Sequence, residues 1–87
     1  MVIERGDKMV EDWGITLANN IRAERNRANK NQQETAEVLG ITRQQYYKYE
    51  QDASGISMKY ALRLARYFNC NINAFLVNLK FTDSKLN

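Results

Sequence analysis

Residues 32–51 read QQETAEVLGITRQQYYKYEQ, and this stretch decides the fold. It predicts two short helices joined by one tight turn. Ala36 keeps the first helix thin where the second crosses it. Gly40 supplies the left-handed backbone that lets a helix stop and redirect within a few residues. Thr42 is a good N-cap for the second helix, its hydroxyl accepting from a backbone N–H that otherwise has no partner. Upstream, Asn31 caps the first helix, and Glu34 at the third position completes the pattern of a capping box. The apolar residues Leu39, Ile41, Tyr46 and Tyr49 are spaced to bury one side of the pair.

At about 100° per residue, Tyr46 and Tyr49 of the second helix fall on one side, with Glu50 near them. Gln44, Tyr47, Lys48 and Gln51 cluster opposite, flanked by Arg43 and Gln45. That outer face is long, polar and free of acidic residues. Arg bonds guanine N7 and O6 in bidentate fashion, and Gln does the same to adenine N6 and N7. A solvated face that served only solubility more often mixes in Glu to balance Lys. Polar helix faces are nevertheless common, so this face alone also fits plain solubility. Taken with Ala36, Gly40 and the apolar spacing, the stretch has the outline of a helix-turn-helix, whose second helix lies in a DNA major groove.

The whole chain has 87 residues, enough for one domain with a small core. It has no proline and four glycines, and its β-branched residues do not alternate, so an all-α fold is expected. No apolar run is long enough to span a membrane. The acids in MVIERGDKMVEDW interrupt what a secretory signal needs, so export is not expected. The single cysteine, Cys70, has no internal disulfide partner, and its apolar neighbours favour a small buried hydrophobe over a reactive thiol. These features point to the cytoplasm. Charge is uneven: residues 1–14 carry a net −2, and residues 15–80 a net +5. A basic body suits a polyanionic partner, whereas the acidic N-terminus argues against a basic arm around DNA.

Residues 1–11 show no clear period and are expected to form a flexible lead-in to a domain over 12–78. A first helix is expected from Glu11 or Thr16 to Ala28, with Trp13, Leu17, Ala18 and Ile21 inward and Arg22, Arg25 and Arg27 on its other face. The helix at Gln32 offers free N–H groups with Gln32 and Gln33 beside them, a phosphate anchor. After the second helix of the pair comes a loop, Asp52–Ile56, and Ser57 then caps a helix through Phe68. Its apolar positions are Met58, Ala61, Leu62, Leu64, Ala65 and Phe68. Arg63 and Arg66 are read as a solvated face, and Lys59 as a further phosphate contact. Ile72, Phe75 and Leu76 predict a short fifth helix from about Asn73. Val77, Leu79 and Phe81 carry apolar character into a tail over 79–87. A small domain does not easily bury all of these, and an exposed apolar patch marks a partner surface, here a symmetric dimer through Phe75, Leu79 and Phe81.

From about Leu17 to Leu76 the chain resembles the phage-repressor (Cro/cI, or XRE) family of helix-turn-helix domains. The resemblance is carried by Ile21-Arg22 and Arg25, Gln32 through Ala36 to Leu39-Gly40-Ile41, Thr42-Arg43, Tyr46, Tyr49-Glu50, Ser57, Leu64-Ala65 and Phe75-Leu76. It implies a five-helix lambda-repressor-like fold with the helix-turn-helix in helices 2 and 3. It implies that Arg43, Gln44, Tyr47 and Lys48 face base edges, and that Gln32 and Gln45 serve the backbone; Gln33, Thr42 and Lys59 are counted with them as phosphate contacts. An Arg25–Glu50 ion pair tying helix 1 to the reading helix is also implied, which suits Glu50's inward placement. Three departures stand out. Lys30 and Thr35 replace larger apolar residues, and the loop Gln51-Asp52-Ala53-Ser54 lacks the usual basic residues. Tyr46 and Tyr49 are bulkier than the usual aliphatics, and their hydroxyls need partners.

Catalysis is not expected: there is no histidine, no base near the lone cysteine, no carboxylate pair and no phosphate loop. No metal, cofactor or small-molecule ligand is expected either. The expected function is a sequence-specific regulator of transcription, a repressor, binding an inverted repeat of double-stranded DNA as a homodimer. It would act on the nucleoid of a bacterial or phage-infected cell. The alternative is an interaction module of the antitoxin type, which neutralises a protein partner and also represses its own operon. A module that only holds a protein partner has no need for Arg43, Gln44 and Lys48 side by side.

Overall fold

The computed structural model describes residues 2–79, with side chains from Trp13 onward, and every element is helical. The chain runs through α1 (Val2–Arg27), α2 (Gln32–Leu39), α3 (Arg43–Tyr49), α4 (Met58–Phe68) and a 3-10 helix (Ile72–Leu76). Helix α1 starts at Val2, ahead of the expected Glu11 or Thr16. Residues 2–11 have no apolar stripe, but they also have no proline, and a missing period does not forbid helical backbone.

The core forms where the four α-helices and the 3-10 helix meet. Leu17, Ala18 and Ile21 of α1 pack with Ala36 and Leu39 of α2, Tyr46 of α3, and Leu64, Ala65 and Phe68 of α4. Ala18 and Ala36 are fully buried, and their small side chains let backbones approach closely. Phe75 closes the core from below, its ring edge-on to Phe68 with centroids 6.3 Å apart. This corrects the expectation for Phe75: at 0% exposure it is a core residue and has no surface for a dimer contact. Met58 and Leu62, expected inside, are 66% and 50% exposed, because α4 turns its Ala61, Leu64, Ala65 and Phe68 stripe inward instead.

The fifth element is a 3-10 helix instead of an α-helix. Asn71 caps it through a 2.8 Å bond from Asn73 N. Asn20 Nδ2 then donates to the carbonyls of Phe75 (2.8 Å) and Val77 (2.7 Å). With those oxygens held by a side chain of α1, the chain has little reason to continue as an α-helix. Lys30 is half-buried with its Nζ 4.7 Å from the Tyr67 ring centroid, so its stem and a cation–π contact occupy the region near the α1–α2 turn. Thr35 is fully buried, its hydroxyl satisfied by Asn31 O at 2.7 Å.

Candidate nucleic-acid interface

The turn between α2 and α3 fixes the geometry of the site. Gly40 adopts φ 76°, and its N–H reaches back to Ala36 O and Glu37 O, closing α2. A side chain at this φ is strained, which is why glycine stands here. Two residues on, Thr42 Oγ1 accepts from Gln45 N at 3.0 Å, and Gln45 Oε1 accepts from Thr42 N at 2.9 Å. This reciprocal box belongs to α3. At α2, Asn31 Oδ1 accepts from Glu34 N at 2.8 Å.

These caps aim α3 with Tyr46 inward and Arg43, Gln44, Gln45, Tyr47 and Lys48 outward, all five exposed. Tyr47 is 48% exposed, a large aromatic left at the surface of a small domain. Gln32 is half-buried at the start of α2, where its Nε2 donates to Glu50 Oε1 at 3.1 Å. Its second N–H remains for another acceptor. Gln33 Nε2 donates to Glu37 Oε2 at 3.0 Å on the exposed side of α2. Thr42 Oγ1 accepts within its cap and keeps a hydroxyl proton to donate, and Lys59 is exposed in the first turn of α4. Leu79 is half-buried against the core, and Phe81 lies outside the described residues.

The inner end of α3 is held by a buried polar network. Glu50, 1% exposed, takes Arg25 Nε at 2.6 Å, Arg25 Nη2 at 3.1 Å, Gln32 Nε2 at 3.1 Å and the Tyr46 hydroxyl. Burial alone pushes this carboxyl up, but hydrogen bonds from Arg25, Tyr46 and Gln32 outweigh it and hold Glu50 below the usual carboxylate range. Tyr46 moves the other way: burial, then its bond to the carboxylate, raises its phenol far above normal. Arg25 is raised by its hydrogen bond to Glu50. Glu50 therefore stays ionised but paired, and adds no bare negative charge behind the basic face of α3.

Three arginines of α1 stitch helix ends together. Arg22 Nη1 donates to Glu50 O (2.9 Å) at the end of α3, Arg25 Nη1 to Lys30 O (2.9 Å), and Arg27 Nη2 to Phe68 O (2.8 Å) at the end of α4. Cations at helix C-termini satisfy carbonyls that have no helical partner. Sequence reading placed these arginines together on the outer face of α1 and missed this use. It also missed Gly14. Gly14 O accepts from Ala53 N at 3.0 Å, and a Cβ on Gly14 would lie 2.4 Å from Asp52 Oδ1. The loop after α3 thus seats directly on the α1 backbone. A glycine inside a helical pattern was the available signal.

Cys70 is half-buried, and burial raises its thiol, the opposite of what a nucleophile needs. Among the described residues no group of three His, Cys, Asp or Glu stands together to hold a metal ion, and no helix is long and apolar enough to cross a membrane.

With this geometry in place, comparison with known proteins gives one family. The helix-turn-helix family model matches residues 21–75, from the core of α1 to Phe75. No curated protein and no solved structure matches the chain. The chain belongs to the XRE/Cro/cI-type helix-turn-helix family, a family of DNA-binding transcription regulators, not typically enzymes.

Proposed function

We propose that this member of the family is a sequence-specific repressor that binds an inverted-repeat operator as a homodimer, laying one α3 in each of two major grooves. The observation that carries the reading is the exposed row of Arg43, Gln44, Tyr47 and Lys48 on a helix whose other side is locked to α1 and α2. Arg43 and Lys48 suit guanine, Gln44 suits adenine, and the Tyr47 ring suits a thymine methyl. Gln32, Gln33, Gln45 and Lys59 surround this row with donors for phosphates, which position the helix without reading sequence. Thr42 joins them with its hydroxyl proton, since the cap uses only its oxygen. The dimer contact falls to Leu79 and Phe81 with the exposed Leu76 and Val77, and half-site centres lie about 34 Å apart.

A second reading, capture of a protein partner in the manner of an antitoxin, is favoured by an apolar groove. It measures about 210 Å³ and is lined chiefly by Trp13, Ile56, Met58, Ala61, Ile72 and Leu76. Capture of a partner alone does not require the polar row on α3. The discriminating experiment is alanine substitution of the row. Arg43→Ala and Gln44→Ala each weaken binding to the preferred site by about 1–3 kcal/mol and relax base choice at one position. Gln32→Ala weakens all sequences alike. If the Arg43 and Gln44 variants bind that site as tightly as the parent, the reading face is wrongly assigned.

A further inference from the structure

Beside α3, on the flank facing α4, lies a cleft of about 270 Å³ lined by Ile41, Gln45, Lys48, Tyr49 and Tyr60. Tyr49 and Tyr60 meet edge to face, with centroids 6.1 Å apart, and both rings are half-buried. Gln45 and Lys48 are exposed at its edge, and no carboxylate lines it. The capping box uses the Gln45 carbonyl oxygen, so the amide N–H₂ is the end that a ligand meets. Packing accounts for the two rings. It does not account for an ammonium, an amide and two phenols gathered around an apolar hollow.

A major groove is about 12 Å wide and a helix with its side chains about 10–12 Å across, so a helix seated in the groove carries its flanks against the sugar–phosphate strands. We infer that this cleft is a backbone subsite that receives one phosphate, with its deoxyribose, from the strand beside α3. The phosphate accepts hydrogen bonds from Gln45, Lys48 and the Tyr49 and Tyr60 hydroxyls, and the sugar carbons lie against Ile41 and the rings. The inference rests on α3 being the helix that enters the groove. It adds Tyr49 and Tyr60 to the DNA contacts, and gives Lys48 a place at the border between base edges and backbone.

The test is phosphate-ethylation interference on the selected operator, with affinities measured on operator and on random duplex. The variants are Gln44→Ala, Tyr60→Phe and the double variant Tyr49→Phe/Tyr60→Phe. Phenylalanine keeps both rings, so the fold is retained, and circular dichroism checks it. For the parent, ethylating one phosphate per half-site beside α3 weakens binding. The double variant loses two hydrogen bonds to a charged group, so it binds both DNAs about a hundredfold more weakly and senses that ethyl group much less. Tyr60→Phe alone shows the same change in smaller measure, while Gln44→Ala loses base preference but keeps the interference. Unchanged affinity with an unchanged ethylation pattern in the double variant overturns the subsite and leaves operator reading intact. A parent without base preference, whose affinity for random duplex still falls in the double variant, overturns operator reading and keeps the subsite. No binding to any duplex overturns both.

Discussion

Removing Arg25 exposes how much of the domain hangs on the end of its reading helix. Among the described residues, Arg25→Ala deletes two of the four donors to the Glu50 carboxylate and the only cation paired with it, leaving a carboxylate with 0% side-chain exposure. Breaking a buried ion pair from one side costs about 3–5 kcal/mol. Tyr46 and Gln32 still donate to the carboxylate, so the lower end, about 3 kcal/mol, applies here. A domain of this size has about 5–10 kcal/mol in total, so the loss is about 30–60% of it and lowers Tm by about 12–24 °C. Urea unfolding followed by helical circular dichroism at pH 7 measures it. The double variant Arg25→Met/Glu50→Gln removes both charges together while an amide oxygen still accepts from Tyr46 and Gln32, so it recovers part of the loss. A loss under about 1 kcal/mol for Arg25→Ala, or a double variant no better than the single, refutes the reasoning.

Acid should find the same network. The folded-state pKa of Glu50 is lowered, so its contribution is complete above the ordinary glutamate value of about 4.3 and drains away as pH falls through the lower folded value. Stability measured from pH 6 down to pH 2 should fall more steeply in the parent than in Glu50→Gln; parallel curves would remove Glu50 from the acid response. Gly14→Ala gains about 0.8–1 kcal/mol of helix propensity but drives a methyl into Asp52 and Ser54, so a net destabilisation of about 1–2 kcal/mol is expected in the Tm. A raised Tm would mean the loop moves aside freely. Asn69 ends α4 at φ 58°, so Asn69→Gly should be close to neutral and Asn69→Ala should cost about 1 kcal/mol. Equal stability of the two would discount that cap.

The helix-turn-helix was legible because its determinants are local. Gly40, Thr42 and the spacing of Leu39, Tyr46 and Tyr49 fix a turn and a buried side within twenty residues. The exposed row of α3 follows from the same 100° rotation, which puts Tyr46 and Glu50 on the opposite side. What stayed hidden depends on distant partners. Phe75 and Leu76 are both apolar and adjacent, and only the packing of Phe75 on Phe68 decides which one leaves the surface. The fifth element stops after Leu76, where Asn20, fifty-five residues from Phe75, takes the Phe75 carbonyl. Likewise, nothing local to Arg22 or Arg27 names Glu50 O or Phe68 O as its acceptor. The cleft between α3 and α4 needs Tyr49 and Tyr60 to meet, eleven residues apart across a loop.

The central claim is that α3 reads base sequence as one of a pair. Selection of bound sequences from a random double-stranded DNA pool, with the mass of the complex recorded, tests it most directly. The expected result is an enriched inverted repeat, with half-sites about one DNA turn apart, bound by two chains. No enrichment, with only weak and salt-sensitive binding, would contradict it.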